Sequence, residues 1–405
     1  MNASLSYDLL KQAATNYGTP LYVYHAEKIA QQYQDLFNHF DSKTTRIFYA
    51  CKALTNIHIL DVVKRAGGNI DCSSINEAKL ALHVGFAPNQ VLYTSNSVSF
   101  EEICEAVSLG IYVNIDSLSN LEKFGAKFGN SYPVGVRVRP NIMAGGNLKI
   151  ATGHDKSKFG IPVSELAALK AIQTKYNIQI STLHIHTGSE IKDVKVFLQS
   201  ADVFEQLLAH FPTVTVLDFG GGFKVPYQPE EKGTDMALLG SEVNKVVAKL
   251  SEQFGRTFTA WFEPGKYIVS EAGYFIATVN VMKQSGDIKF AGLDTGLNHL
   301  IRPMFYDAYH YIDNLSHPEK PLQEYAVVGN ICETDTFAWD RPIPTIEEGD
   351  FLIFYNAGAY GYEMASNYNA RYKPAQVLVE NGVAKLISRR DHFEDLLHLQ
   401  VPLTK

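Results

Sequence analysis

The sequence predicts an α/β chain in two parts: a (β/α)8 barrel of the TIM type over residues 26–268, then a C-terminal β-sandwich or β-barrel domain over 269–405, joined by the N-terminal segment 1–25. Three observations lead there. Eight short runs of strand formers alternate with amphipathic stretches, and eight is the number that closes such a barrel. The first four runs begin about 20–23 residues apart, room for one strand, one helix and two short loops. After Tyr267 the alternation stops and β-like runs follow with few helical stretches between them.

The barrel runs are 47–53, 69–74, 91–95, 111–117, 134–140, 180–186, 214–222 and 259–265. Between them, 100–108 and 196–210 carry apolar residues at three- and four-residue intervals, the pattern of an outer helix. Later spacings are longer, and the polar, Gly-containing stretch 141–160 reads as an active-site loop. The second part is expected to hold strands at 274–282, 288–293, 324–328, 350–355 and 375–379, and to recruit the N-terminal run 20–24.

Composition narrows the function. With 405 residues, 46% hydrophobic and 20% charged, the chain can bury two sizeable cores. A net charge of −7 argues against a nucleic-acid partner, since no basic stripe is present to neutralise phosphates. No run approaches the roughly 20 apolar residues needed to span a bilayer, and the N-terminus lacks a basic segment followed by an apolar one. The expectation is a cytoplasmic protein whose four cysteines stay reduced.

Chemistry in such a barrel belongs at the C-terminal ends of the strands. Lys52 stands at the exit of the first run, a place that suits a Schiff-base amine, because burial lowers a lysine's pKa and frees its lone pair. For a single lysine the ordinary alternative is a solvated surface residue. The second run delivers Asp71, Ser74 and Glu77; the fifth, Arg137; the sixth, His184 and His186 with Thr187, Gly188 and Ser189. Gly220, Gly221 and Gly222 follow the seventh, and Glu263, Pro264, Gly265 and Lys266 the eighth. Three bare amides at the glycines form an N–H nest for phosphate, or else a plain tight turn. His184 and His186 read as facing opposite sides of their strand, one structural and one functional, which disfavours a metal site. A carboxylate such as Glu263 placed against a pyridine nitrogen keeps it protonated and makes the ring an electron sink. Lysine, nest, ring-stacking histidine and carboxylate together describe pyridoxal 5′-phosphate (PLP).

At this point the ordered segments FYACKA, HIHTGSE, DFGGGF, EPGKYIV, DTGLNHLIRPMFYDAYH, GNICETD and NAGAYGYEMASNYNARYKPAQVLV resemble the motif series of the fold-type III PLP-dependent decarboxylases, the alanine racemase-like barrels. The likeness runs from Gly18 to about Val379 and is greatest to the branch acting on diaminopimelate. The resemblance implies a homodimer with shared active sites that converts meso-2,6-diaminopimelate to L-lysine and CO2, the last step of lysine biosynthesis. It implies that Lys52 carries the cofactor, His186 stacks on its ring, and Glu263 pairs its nitrogen. Ser189, Gly220, Gly221, Gly222, Gly265 and Tyr360 would hold the phosphate, and Asp71, Glu77 and Arg137 would form the surrounding shell. Cys332 would return a proton to the α-carbon, and Lys266, Arg302, Tyr306, Glu333 and Tyr360 would bind substrate. In the family the Cys332–Glu333 segment comes from the second subunit.

Physical chemistry agrees on the tail of the substrate: Arg302 offers a fork for a distal carboxylate and Glu333 an anion for a distal ammonium. Bland readings exist, since Arg302 before Pro303 can bridge loops and a free cysteine is usually a small core hydrophobe. The chain departs from the family at Lys266, where an arginine is usual, at Ser74-Ile75-Asn76-Glu77, at Thr94–Val98 and at Arg139. Competing functions are a racemase of the same barrel, which pairs the ring nitrogen with arginine; a carboxynorspermidine or other basic amino-acid decarboxylase; and a non-catalytic PLP-binding protein.

Overall fold

The computed structural model describes residues 3–141 and 157–402. Of the expected loop 141–160, residues 142–156 therefore lie outside the described part. The chain forms two compact units. One comprises the residues up to Ile29, Pro226–Glu231 and the residues from Val269 on; the other comprises Ala30–Val225 and Lys232–Ile268.

The second of these units is the barrel. Its eight parallel strands, in order, are Thr45–Ala50, Asn69–Cys72, Val91–Thr94, Tyr112–Ile115, Val134–Arg139, Ile180–His184, Val216–Asp218 and Thr259–Phe262. Each pairs with the next, and the eighth returns to the first with Phe262 opposite Ile47. Every strand ends before the run read from sequence. The seventh stops at Asp218 because Gly220 and Gly222 turn at φ of 65° and 95°. The first stops at Ala50, so Lys52 sits in a 3-10 turn, Cys51–Ala53, rather than on the strand.

Alternation along the strands separates two chemistries. Outward positions such as Ile47, Tyr49, Ile70, Tyr93, Val136, Leu183 and Phe262 are buried and apolar, the surface onto which the helices pack. Inward positions change character with height. At the floor, Phe48, Leu92 and Trp261 cluster with Tyr112 and Val216, and the Arg46 guanidinium stacks 5.0 Å from the Phe48 ring. Above them the inward side chains are polar: Asp71, Thr94, Asn114, Arg137, Thr182, His184, Asp218 and Glu263, all buried. Gly135 makes room among them, since a Cβ there would lie 1.9 Å from Asn114 Oδ1.

The other unit is built on a nine-stranded sheet. Its spine is the strand Gly273–Ser285, whose first half pairs with Leu21–His25 and Phe351–Phe354 and whose second half pairs with Ile288–Leu293. A bulge between Val279 and Val281 marks the change of partner, where an extra residue bends the strand. Helix Tyr7–Tyr17 buries Leu10, Ala13 and Ala14 against Val23, Ile276, Ile353 and Val377. Ser6 caps its start by accepting the Leu9 N–H. Strands Leu322–Val328 and Ala375–Glu380 fall where the sequence placed them, whereas Ile312–Asn314, Thr336–Pro344 and Val383–Ser388 are additional. No helix among the described residues is long and apolar enough to cross a membrane.

Candidate active site

The mouth of the barrel gathers the residues expected at the strand ends. Lys52 Nζ lies 3.8 Å from Asp71 Oδ2, with the lysine side chain 43% exposed and the aspartate fully buried. Lys52 is thus an accessible amine over a buried acid, not the buried amine expected from sequence. On the adjoining eighth strand Glu263 is buried: Thr94 Oγ1, from the third strand, donates to Oε1 at 3.0 Å, and His184 Nε2 lies 3.3 Å from Oε2. Thr94 in turn accepts from Asn114 Nδ2 at 3.1 Å.

Burial presses the Glu263 carboxyl up, but the facing His184 ring, Lys52 and His186 outweigh it and hold the group well below the usual carboxylate range. Asp71 and Asp218 go the other way: burial first, then the charge of Glu263, push both well above that range. Burial also lowers His184 and, further, His186, where Arg137 and Lys52 add to the effect. Arg137 is buried with its guanidinium 4.5 Å from the Phe159 ring centre, a cation kept among the acids.

The two histidines do not face opposite sides. Positions two apart on a strand share a face, and His186 Nδ1 accepts the Gly221 N–H at 3.2 Å while His184 reaches Glu263. The argument against a metal falls with that premise, for His184, Asp218 and Glu263 each place a ligand atom within 4.8 Å of the others. Nor are all three glycine amides bare: Gly220 N–H donates to Asp218 Oδ1 at 2.9 Å, and that of Gly221 to His186. The glycines are required sterically, since a Cβ at Gly221 or Gly222 would lie 2.1 Å from Glu263 O or 2.0 Å from Gly188 O. Ser189 and Gly265 belong to the same unit; Ser189 precedes Glu190, whose carboxylate pairs with Lys266 and lies 3.4 Å from Lys224.

Glu77 secures the start of helix Ile75–Val84: its N–H donates to Oγ of the N-cap Ser74, and its carboxylate accepts the Ser73 N–H at 2.6 Å. The loss of two glycines in Ser74-Ile75-Asn76-Glu77 leaves this cap intact because both capping side chains remain. Arg139 donates to Ser157 O.

The remaining candidates lie in the other unit. Cys332 is exposed, which removes the core-hydrophobe reading. Asn369 brackets it, accepting its N–H at 3.0 Å and donating to Sγ at 3.1 Å, and Tyr368 donates to Glu333 Oε1 at 2.8 Å. That bond to the carboxylate raises the Tyr368 hydroxyl to about 12. Arg302 is buried in helix Arg302–Tyr306 with its guanidinium 5.1 Å from the Tyr227 ring centre. Tyr306 stacks edge-on against Phe305, and Tyr360 adopts a φ of 57°.

Sequence reasoning passed over Thr94, Asn114, Asp218, Tyr368 and Asn369. The first three share inward parity with residues it did select, and that parity was the available signal. Nothing periodic marks Tyr368 and Asn369, which stand in an irregular segment.

A buried anion beside an accessible amine, with His186 Nδ1 turned to the Gly221 N–H, fits a pyridine ring carrying an aldehyde and a phosphate. The comparisons agree. Residues 26–270 match the pyridoxal-dependent decarboxylases, pyridoxal binding domain. The diaminopimelate decarboxylase of Methanothermobacter thermautotrophicus is 37% identical over 96% of this chain and 93% of its own length. That of Aquifex aeolicus is 34% identical over 95% and 92%. A crystal structure of diaminopimelate decarboxylase from Helicobacter pylori complexed with L-lysine superposes with a TM-score of 0.88 at 30% identity, covering 98% of this chain and 99% of that one. With its cofactor type, barrel and second sheet all accounted for, the chain belongs to the pyridoxal-dependent decarboxylases.

Proposed function

We propose that this chain decarboxylates meso-2,6-diaminopimelate to L-lysine and CO2, as a cytoplasmic homodimer whose active sites are shared between subunits. The observation that carries the reading is Glu263, a buried carboxylate kept anionic beside Lys52. A racemase of this fold pairs the ring nitrogen with a cation, whereas Glu263 in that role would be an anion. PLP, when bound, supplies the electron sink for the pair left on the α-carbon as CO2 departs.

The chain's own residues do the rest. Lys52 offers the amine that secures the cofactor, and Glu263 holds a proton at the ring nitrogen. His186, fixed by the Gly221 N–H, would lie against the ring. Ser189, Gly222, Gly265 and Tyr360 would bind phosphate, with Gly220 and Gly221 shaping the turn while their N–H groups serve Asp218 and His186. Arg302 takes the distal carboxylate of the substrate and Glu333 its distal ammonium, a zwitterionic tail that ornithine lacks. Lys266, already paired with Glu190, contributes a point charge where an arginine would give a fork. Cys332 of the second subunit delivers the proton to the α-carbon.

Its exposure, with Glu333 at the rim of a 430 Å³ groove lined by Phe290, Ile331 and the half-exposed Trp339, supports a partner covering this face. The test is a substrate panel: incubation with PLP and meso-diaminopimelate should release CO2 and lysine, with carboxynorspermidine, ornithine and arginine turned over far more slowly. Preference for any of those three over diaminopimelate would overturn the substrate assignment.

A further inference from the structure

The barrel carries one buried acid that neither cofactor nor substrate needs to touch. Asp218 ends the seventh strand, fully buried, opposite His184 on the sixth strand and Trp261 on the eighth. Its Oδ1 accepts the Gly220 N–H, while its Oδ2 is buried without a donor. Its neighbours are Glu263, Asp71 and His184, with Lys52, Arg137 and His186 beyond them. Ligand atoms of Asp218, His184 and Glu263 lie within 4.8 Å of one another.

Two buried carboxyls this close do not both ionise. Glu263 has the stronger claim to the charge, with a hydroxyl donor at 3.0 Å and an imidazole nitrogen at 3.3 Å against the one backbone donor of Asp218. A proton on Asp218 also resolves its orphaned oxygen, turning an unsatisfied acceptor into a donor with Glu263 in front of it.

We propose that Asp218 is a positioning residue: it stands neutral and donates a hydrogen bond to Glu263, fixing that anion where the ring nitrogen is read. The proposal rests on Glu263 being the ring's partner. Burial and the charge of Glu263, which push the Asp218 carboxyl well above its ordinary range, point the same way.

The holoenzyme tests it with Asp218→Asn, whose amide can still donate, and Asp218→Ala, which cannot. The infrared difference between wild type and Asp218→Asn at neutral pH should show the carbonyl stretch of a protonated carboxylic acid in the wild type alone; carboxylate bands alone would overturn the proposal. With 15N-labelled PLP, Asp218→Ala should move the ring-nitrogen resonance toward the unprotonated position and Asp218→Asn should restore it. In Asp218→Ala, kcat should fall about tenfold or more with KM within about twofold, and Asp218→Asn should recover most of the loss. A ring resonance indifferent to Asp218→Ala, or one equivalent of divalent metal held by His184, Asp218 and Glu263 through chelation, would also overturn it. Glu263→Gln separates the two readings: an unmoved ring resonance there refutes Glu263 as the ring's partner, whereas the infrared band reports on Asp218 by itself. Should Asp218→Ala fail to fold, the infrared comparison still decides.

Discussion

Glu263 shows how a buried acid can remain charged. Desolvation alone would neutralise it, and the outcome is reversed first by His184 and then by Lys52 and His186. An electron sink needs that charge chiefly as the α-carbon becomes electron-rich, so its loss weighs on the transition state more than on binding. Glu263→Gln should therefore keep PLP bound, by absorbance and dialysis, while kcat falls by about a hundredfold, ~2.7 kcal/mol. Near-wild-type turnover would mean the ring has another partner. In the proposed function Arg302 is the corresponding residue for the substrate's far end. Arg302→Ala should lower kcat/KM for diaminopimelate by about 2–4 kcal/mol, the cost of removing a buried charge-assisted contact, with ornithine turnover unimproved. A melting curve for that variant separates loss of fold from loss of recognition. At this scale the sequence disclosed residue types but not their neighbours: His184 and His186 were legible as a pair, yet their common face follows only from the strand's two-residue period.

Elements were legible where one periodicity dominated. The eight barrel strands are apolar on their outward faces and flanked by helices, so each stood out, and Phe100–Ser108 was read to the residue. The second unit was harder. Thr336–Pro344 contains Pro342 and Pro344, which argue against a strand, yet it forms the sheet edge and pairs only with Leu322–Val328, so prolines are tolerated there. Val383–Ser388 is an edge too, largely solvated, and Ile312–Asn314 is too short to carry a pattern. This unit also holds the chain's clearest acid liability. Burial lowers His299 to about 4 and His310 to about 3, so the fold keeps both neutral, whereas the unfolded chain protonates them near pH 6.5. Their contribution is present above about pH 6.5 and is lost as pH falls toward 4 and then 3, by about 1.4 kcal/mol per pH unit for each histidine. In denaturant titrations between pH 6 and 4.5, His310→Asn should flatten the decline by about one proton's worth. An unchanged slope would mean His310 titrates in the folded state.

At the scale of the molecule, the proposed chemistry is divided between two units: Lys52 and Glu263 belong to the barrel, while Cys332 and Glu333 sit exposed on the other, held by Asn369 and Tyr368. The family resemblance made this division legible, and strand patterning alone did not, because Cys332 lies in an irregular turn whose meaning depends on what faces it. An isologous dimer would carry two composite sites, each with Lys52 from one chain and Cys332 from the other. Lys52→Ala and Cys332→Ala homodimers should each be inactive. Mixed under conditions that exchange subunits, about half the dimers become hybrid and each hybrid keeps one intact site of two, so lysine formation should recover to about a quarter of wild type. No recovery, with exchange confirmed by mass spectrometry of the intact dimers, would contradict the shared site and place the whole chemistry within a single chain.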